Sequence, residues 1–500
     1  MPFPLADDGK IPDLYPAALK LKFVQVIHRH GRQRTPAHKY FAHIQPAGTW
    51  TQCKITPYLS AFHSFNDALV KPDTTSSPFP PHFNTVVMDP ATHALGATST
   101  VKSLSSYSSN GDGECKMGQL TDKGKETLTT AGANLRKLYF EKLKLLDDKE
   151  NNRTGHKDIY LRSTDYARTI ESLQYLLHGL HPAGDADKPS NGGDPAATAG
   201  LTIHVKSADE ETLYPHHNCS TLNLLNNAFR KQLGAENSKR TTYLIEKFKH
   251  LGTDPSKPHL IQLHALYDIF ACMDGAGVPL PKGIAHEDLD ALEKITTEQW
   301  LGIYDDEKAA SLGAGMALRD VKIKLMEAVN NTQTAVKMSI FSAHDTTVGP
   351  ILSALRAWDR TYPDFGSMIN LELFEEAQYS APQQQSLISK WFSRPPPPQH
   401  YVRLLYNGKP VAIPACAAPK DHRGDDTTMC TLEAFVKRVD ELVPKDYEAA
   451  YGRRGLEAPP VVINFEIVKS IASAASVAFV MKVGSCVLMT AVAALSTIAA

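Results

Sequence analysis

The sequence lacks several features that would assign a protein class at once. Its 500 residues contain seven cysteines, none of them in a C-x-x-C pair, which argues against a structural zinc site. Lys+Arg number 53 against 54 Asp+Glu, so no overall excess of positive charge is available to hold a nucleic acid. Basic residues interleaved with aromatic ones along an extended face are also missing, and we expect no nucleic-acid partner. The 42% of hydrophobic residues excludes wholesale disorder.

The two ends of the chain point to different locations. The N-terminus, MPFPLADDGKIPDL, has no basic region followed by an apolar run and is therefore not a secretory signal. Residues 483–500 are continuously uncharged, which predicts membrane attachment through a C-terminal tail, as a transmembrane span or a lipid-anchor signal, rather than a buried terminal helix. Either the start of the chain is misassigned, or the protein is tail-anchored in the cytosol.

Cys416 and Cys430 bracket a loop rich in Pro, Asp and Gly. This spacing suits a local disulfide, and two reduced thiols are an equal alternative. Three N-x-S/T tripeptides, at Asn152, Asn218 and Asn330, are candidate glycosylation sites of a kind that also arises by chance.

Apolar runs followed by polar clusters predict an α/β fold. Residues 21–27, 158–161 and 336–341 are typical of buried strands, whereas 212–330 has a mainly helical pattern. We expect one α/β core formed by residues 1–182 and 331–458, with the helical block inserted into it. The expected insertion is 183–330, and 459–500 is a hydrophobic tail.

The first polar cluster places a histidine between arginines directly after a predicted strand, in the run HRHGRQRTP. Guanidinium groups and the amides at a helix N-terminus can bind a phosphate dianion there. A neutral imidazole at His30 can attack phosphorus and become a phosphohistidine. A solvated basic turn explains this run equally well when it is considered alone.

The other two clusters also follow predicted strands. Arg162 can supply a further guanidinium, and Thr164 or Asp165 can cap the following helix, which is the simpler explanation of that cluster. His344 can donate a hydrogen bond to phosphate, and Asp345 can protonate a departing alkoxide if its surroundings raise its pKa. A histidine satisfied within the core would explain the last pair. Together, however, the three clusters supply complementary parts of one phosphoryl-transfer site.

The order of these motifs resembles the histidine acid phosphatase family, the larger branch of the histidine phosphatase superfamily. The similar segments are VIHRHGRQRTP, GQLTDKGKETLTTAGANLRKLY, YLRSTDYARTIESL, SIFSAHDTTVGPILSAL, YVRLLYNGKPVAIPAC and CTLEAFVKRVDELVPKDY. The resemblance implies a catalytic nucleophile at His30, a proton donor at Asp345, and phosphate-binding side chains at Arg29, Arg34, Arg162 and His344.

The resemblance also carries expectations for the whole protein. It implies a three-layer α/β core with a central, mostly parallel sheet flanked by helices, and an inserted, mainly helical cap domain. No metal or organic cofactor is expected, and the substrate is a small-molecule phosphomonoester. A secretory, lysosomal, cell-surface or membrane-associated location is favoured, with a disulfide between Cys416 and Cys430. Cys219 matches a family cysteine whose partner stays unassigned.

One departure from the family pattern bears on activity. Arg32 and Gln33 both precede Arg34, where the family has one residue between glycine and the next arginine. Arg34 is assigned the phosphate-binding role because Thr-Pro follows it as in the family. The leading hypothesis is an acid phosphatase working through a phosphohistidine. A catalytically impaired anion-binding pseudophosphatase and a specialised phytase or phospho-sugar phosphatase are the alternatives.

Overall fold

A computed structural model describes most of the central part of the chain. The described residues are 14–31, 53, 84–88, 95–99, 115, 118–147, 157–181, 202–236, 238–251, 262–330, 335–376, 398–446, 450, 461–464 and 478–481.

The described residues form thirteen strands and nine α-helices. The strands are β1 (Leu19–Arg29), β2 (Asn84–Met88), β3 (Leu95–Ser99), β4 (Ile159–Ser163), β5 (Thr202–Val205), β6 (Met338–Ala343), β7 (Met368–Glu376), β8 (His400–Tyr406), β9 (Lys409–Val411), β10 (His422–Arg423), β11 (Asp426–Thr431), β12 (Val461–Asn464) and β13 (Ala478–Met481). The α-helices are α1 (Asp122–Leu135), α2 (Ala167–Leu180), α3 (Ser220–Glu236), α4 (Ser238–Phe248), α5 (Leu263–Ala276), α6 (His286–Leu301), α7 (Glu307–Asn330), α8 (Asp345–Ala354) and α9 (Leu432–Leu442). A π-helical segment, Arg136–Lys142, continues α1.

One large sheet organises the described part of the chain. Its strand order is β10-β11-β8-β7-β1-β6-β4-β5-β2-β3, with β9 paired to β8. The five central strands β1, β6, β4, β5 and β2 run parallel, and antiparallel strands extend the sheet on both sides. β12 and β13 form a separate antiparallel pair. The expected mixed sheet with a parallel centre is therefore confirmed.

Alternating side chains of β1 divide between two apolar layers. Val24 and Val26 pack with residues of α1 and α2 on one face, whereas Phe23 and Ile27 pack with residues of α7, α8 and α9 on the other. This alternation is the two-residue period of a strand whose faces are both covered. The result is the expected three-layer arrangement, helices on both sides of one sheet.

Local sequence signals explain several element boundaries. Thr121 caps α1, its hydroxyl accepting from the Gly124 amide at 3.4 Å. Asn407 and Gly408 both have positive φ, 49° and 77°, so they form the tight turn that joins β8 to β9.

The helical insertion lies between two strands of the sheet. Helices α3 to α6 follow β5, and α5 and α6 share an apolar cluster around Phe248 and Phe270. Two elements that sequence analysis placed in the insertion contact the sheet instead: β5 pairs with β4 and β2, and α7 shares the cluster of Phe23 and Phe341. The domain boundaries themselves stay a prediction.

The described residues contain two disulfides. Cys416 and Cys430 are bonded, with Cα atoms 5.3 Å apart, as predicted. A second bond joins Cys53 to Cys115, which no sequence signal indicated. Cys219 is buried in a cluster around Phe229.

The predicted membrane tail falls almost entirely on residues without a structural description. No helix among the described residues is long and apolar enough to span a bilayer, and 483–500 lies outside them. Membrane attachment and glycosylation therefore stay predictions. Asn218 and Asn330 are exposed, and Asn152 is not among the described residues.

Candidate active site

Three neighbouring parallel strands bring the polar clusters to one edge of the sheet. Arg29 of β1 is in register with Ala343 of β6, and Ser163 of β4 with Ser342. Because these strands end at the same level, the segments that follow them meet, although they are far apart in the sequence. The amide of His30 donates to the Ala343 carbonyl at 2.9 Å, which fixes the first cluster directly beside the third.

The imidazole of His30 is buried between two rings. Its centroid is 5.7 Å from that of His344 and 5.7 Å from that of Phe365. His30 Nδ1 lies 3.4 Å from the Gly31 carbonyl oxygen. Because a carbonyl only accepts, this contact corresponds to the neutral tautomer with its hydrogen on Nδ1, in which Nε2 carries the lone pair.

Gly31 allows the backbone next to His30 to approach α1 closely. A Cβ atom there would lie 2.9 Å from Leu120 Cδ1 and 3.1 Å from the Gly124 carbonyl oxygen. The Gly31 amide donates to Ser172 Oγ at 2.9 Å. A side chain at this position would push the His30 segment away from the helices.

The guanidinium of Arg29 is buried and held from two directions. Nη1 donates to the Pro363 carbonyl at 2.6 Å, and Nη2 pairs with Asp345 Oδ2 at 2.7 Å. The guanidinium carbon lies 3.9 Å from the centroid of the Phe365 ring, a cation–π contact. Its Nε is buried and has no hydrogen-bond partner among the described residues. The site therefore holds a buried guanidinium group that is bound through both of its terminal nitrogens.

His344 is fixed by a hydroxyl group. Its Nε2 lies 3.0 Å from Thr164 Oγ1, and Thr164 in turn contacts Thr169 Oγ1 at 2.9 Å. Sequence analysis assigned Thr164 or Asp165 to the cap of α2. The N-cap is instead Tyr166, without a side-chain capping bond, and Thr164 orients the imidazole.

Asp345 is the first residue of α8. Oδ2 accepts from the Tyr362 hydroxyl at 3.0 Å as well as from Arg29, and Oδ1 accepts from the Thr346 amide at 2.7 Å. Burial and the Asp345 carboxylate raise the pKa of Tyr362 well above its ordinary value, so this hydroxyl stays protonated and donates. The carboxyl group is thereby oriented by a tyrosine that the sequence did not single out.

Arg162 is bound to carboxylates. Nη2 contacts Glu211 Oε1 at 2.5 Å and Thr212 Oγ1 at 2.8 Å, and Nη1 contacts Asp320 Oδ2 at 2.6 Å. Burial alone would raise the pKa of Asp320, but Arg162 and Lys206 hold it well below its ordinary value. The guanidinium predicted to bind phosphate is therefore held by two acidic side chains, Glu211 and Asp320.

His28 belongs to the same motif but is buried within β1. Its Nδ1 lies 3.0 Å from the Arg29 carbonyl oxygen, and its Nε2 has no hydrogen-bond partner among the described residues. Burial lowers the pKa of His28 from 6.5 to about 4. His28 is therefore neutral over most of the pH range.

The remaining predicted phosphate ligand lies outside the described residues. Arg34, together with the departure from the family pattern at Arg32 and Gln33, falls in 32–52, whose structure is not described. The described residues thus bring together Arg29, His30, His344 and Asp345. The roles assigned to these four residues, to Arg162 and to Arg34 stay predictions.

Comparisons with known proteins agree on one family. A family model described as the histidine phosphatase superfamily, branch 2, matches residues 20–407. A "probable acid phosphatase" of Schizosaccharomyces pombe is 28% identical over 469 residues, which cover 87% of this chain and 94% of that protein. Human lysophosphatidic acid phosphatase type 6 is 24% identical over 451 residues, covering 88% of each protein.

Solved structures share the fold. Hafnia alvei phytase in complex with myo-inositol hexakis sulphate aligns with a TM-score of 0.52 at 15% identity, covering 86% of this chain and 98% of that one. Citrobacter braakii phytase aligns with a TM-score of 0.51 at 14% identity, covering 85% and 98%. At these identities the likeness shows the fold alone.

Proposed function

We propose that this chain, which belongs to branch 2 of the histidine phosphatase superfamily, hydrolyses phosphate monoesters through a phosphohistidine formed on His30. The chain is a phosphoric monoester hydrolase, as the sequence resemblance predicts, and its relatives include proteins named acid phosphatases. The covalent mechanism and the role of each residue are the proposal.

One observation carries it: the side chains of His30, Arg29, His344 and Asp345 converge at the ends of two paired strands. A nucleophile, a cationic fork, a hydrogen-bond donor and a carboxyl group are the parts that transfer of a phosphoryl group from an ester to nitrogen requires. The alternatives of a solvated basic turn and a core histidine do not account for this convergence.

In the first step, the lone pair of His30 Nε2 attacks phosphorus. A P–N bond forms, the P–O bond to the alcohol breaks, and the departing oxygen takes a proton from Asp345. The charge on the transferring phosphoryl oxygens is stabilised by Arg29 and by the imidazole of His344. The products of this step are the free alcohol, a phosphohistidine and the Asp345 carboxylate.

In the second step, the Asp345 carboxylate accepts a proton from a water molecule, whose oxygen attacks the phosphohistidine. The P–N bond breaks, inorganic phosphate is released, and the Nε2 lone pair returns to His30. Asp345 therefore serves as acid and then as base, and it returns to its initial protonated state.

Arg162 and Arg34 complete the proposed phosphate site. Arg162 contributes once an incoming phosphate competes with its carboxylate partners Glu211 and Asp320. Arg34 contributes from the segment that follows His30 in the sequence. The proposed substrate is a small-molecule phosphomonoester, in keeping with relatives and structural neighbours named after phosphate esters.

The test is hydrolysis of p-nitrophenyl phosphate by the wild-type chain and by His30→Ala. We expect turnover by the wild type and its loss in the variant, together with a phosphohistidine trapped from the wild type alone by acid-free quenching. His178→Ala is the control, because His178 is exposed on α2. Undiminished activity of His30→Ala would refute the mechanism. Phosphate binding without turnover by the wild type would instead identify a pseudophosphatase.

A further inference from the structure

Two tyrosine rings stand beside His344. The Tyr166 centroid is 5.1 Å from that of His344 and the Tyr214 centroid is 5.9 Å from it, both at steep interplanar angles. The two tyrosine rings are 6.2 Å apart, at 74°. Tyr166 and Tyr214, which we call the tyrosine rim, therefore form a continuous aromatic surface with the imidazole.

The tyrosine rim lies between the imidazole and solvent. His344 is 6% exposed, Tyr214 is half-buried, and Tyr166 is 43% exposed. Large exposed apolar side chains are few among the described residues, and besides Tyr166 they are Tyr243 and Ile323. An exposed aromatic surface that continues into a polar site is typical of a ligand-binding surface.

The ring of Tyr166 is held in place. The backbone amide of Tyr166 donates to the carbonyl of Thr164 at 2.8 Å. Thr164 is also the residue whose hydroxyl orients His344. The guanidinium of Arg168, two residues further along the chain, lies 4.8 Å from the centroid of the Tyr166 ring. A ring fixed in this way loses little conformational entropy when a ligand packs against it.

The surroundings of Tyr214 are acidic. Burial, Tyr166 and the carboxylates of Glu211, Asp165 and Asp209 raise the pKa of Tyr214 to about 12. Asp165 and Asp209 are exposed. A second phosphate group placed over this part of the rim would meet like charges, whereas an uncharged ring would not.

We infer that the tyrosine rim binds the alcohol part of the substrate and that this part is aromatic, so the preferred substrates are aryl phosphate monoesters with one phosphate group. This inference rests on the proposed function, since it places the phosphate beside His344. The aromatic alcohol then packs edge-to-face or offset against Tyr166 and Tyr214, the arrangements that aromatic pairs prefer.

The test measures binding without turnover. Benzylphosphonate and methylphosphonate carry the same anionic group and differ by one ring, so the ratio of their dissociation constants reports the contribution of that ring. We expect the wild-type chain to favour benzylphosphonate and Tyr166→Leu to reduce this preference about 3- to 10-fold. Tyr166→Phe keeps the ring and should keep the preference. Tyr243→Ala removes an exposed tyrosine of α4 and should leave it unchanged.

Equal preference in the wild type and in Tyr166→Leu would overturn the inference, as would tighter binding of inositol hexakisphosphate than of benzylphosphonate. Tyr214→Leu repeats the measurement if Tyr166→Leu does not fold. Because binding is measured, a wild-type chain that favours benzylphosphonate but hydrolyses nothing refutes the proposed mechanism and supports the rim. If the wild-type chain hydrolyses phenyl phosphate and glycerol 2-phosphate but does not favour benzylphosphonate in binding, the result supports the proposed function and refutes the role of the tyrosine rim.

Discussion

Arg29 and Asp345 form an ion pair, with Nη2 and Oδ2 2.7 Å apart. The group proposed to bind phosphate and the group proposed to deliver the proton therefore contact each other. An incoming phosphate dianion competes with Asp345 for Arg29. The negative charge of the bound phosphate then favours the protonated form of the Asp345 carboxyl group, which is the form that the first chemical step needs.

Asp345→Asn should separate substrates by their leaving groups. The leaving group of glycerol 2-phosphate is an alkoxide, which is a poor leaving group unless it is protonated. We therefore expect kcat for glycerol 2-phosphate to fall by about 10²- to 10⁴-fold. p-Nitrophenolate leaves without protonation, so formation of the phosphohistidine from p-nitrophenyl phosphate should fall much less. Pre-steady-state bursts and steady-state rates with both substrates measure this difference. An equal loss in the rate of phosphohistidine formation from the two substrates would contradict the role of Asp345 as proton donor.

Tyr362→Phe should weaken the orientation of Asp345 while keeping the ring. The hydroxyl donates to Oδ2 at 3.0 Å, and its removal should lower kcat for glycerol 2-phosphate about 10-fold. A lost donor disfavours the ionised carboxylate, so the alkaline limb of the pH–kcat profile should move to higher pH. Tyr267→Phe is the matched control, because Tyr267 packs on the Tyr362 ring and bonds Glu293. An unchanged pH profile would argue against a positioning role.

Asp320→Asn should free positive charge for phosphate. Arg162 and Lys206 both pair with Asp320 Oδ2, and loss of that charge should lower the inhibition constant of inorganic phosphate about 5-fold. The free energy of unfolding should fall by about 3 kcal/mol, because the change breaks a buried ion-pair network. Glu327→Gln, on the same helix and paired with Lys324, should alter neither quantity as much. Weaker phosphate binding by folded Asp320→Asn would place Arg162 outside the phosphate site.

His28 should make the fold sensitive to acid. Its pKa is lowered by burial from 6.5 to about 4, so below pH 6.5 the unfolded chain takes up a proton that the folded chain does not. The contribution of neutral His28 to the free energy of unfolding is therefore complete above pH 6.5 and decreases as the pH falls. The decrease amounts to roughly 3 kcal/mol at pH 4 and below. Urea unfolding at several pH values should show that His28→Asn, whose amide can still donate to the Arg29 carbonyl, lacks this contribution. His178→Asn should retain the wild-type pH dependence.

Local patterns in the sequence predicted the elements that carry the motifs. The apolar runs at 21–27 and 336–341 correspond to β1 and β6, and Thr121 caps α1. These signals are local, since a buried strand or a capped helix is marked by its own residues. β5 and β7 were not predicted, because a four-residue strand is too short to show a period and MINLELFEE ends in charged residues.

The partners of the site residues were beyond sequence reasoning. Arg162 was correctly placed at a strand end, but Asp320, 158 positions away, and Glu211 carry no motif that announces the pairing. Tyr362 and Phe365 were missed for the same reason, since they follow α8 in an irregular segment. Patterns therefore located the reactive groups, whereas their neighbours depend on tertiary packing.

The position of β1 in the sheet has a consequence for biosynthesis. β1 hydrogen-bonds to β6 on one side and to β7 on the other, both of which the ribosome makes only after more than three hundred further residues. Until then the hydrophobic segment LKFVQVI has neither of its native neighbours. Pairing between strands that are distant in the sequence is also slow. Nascent chains that stop before β7 should therefore depend on chaperones and be prone to aggregation.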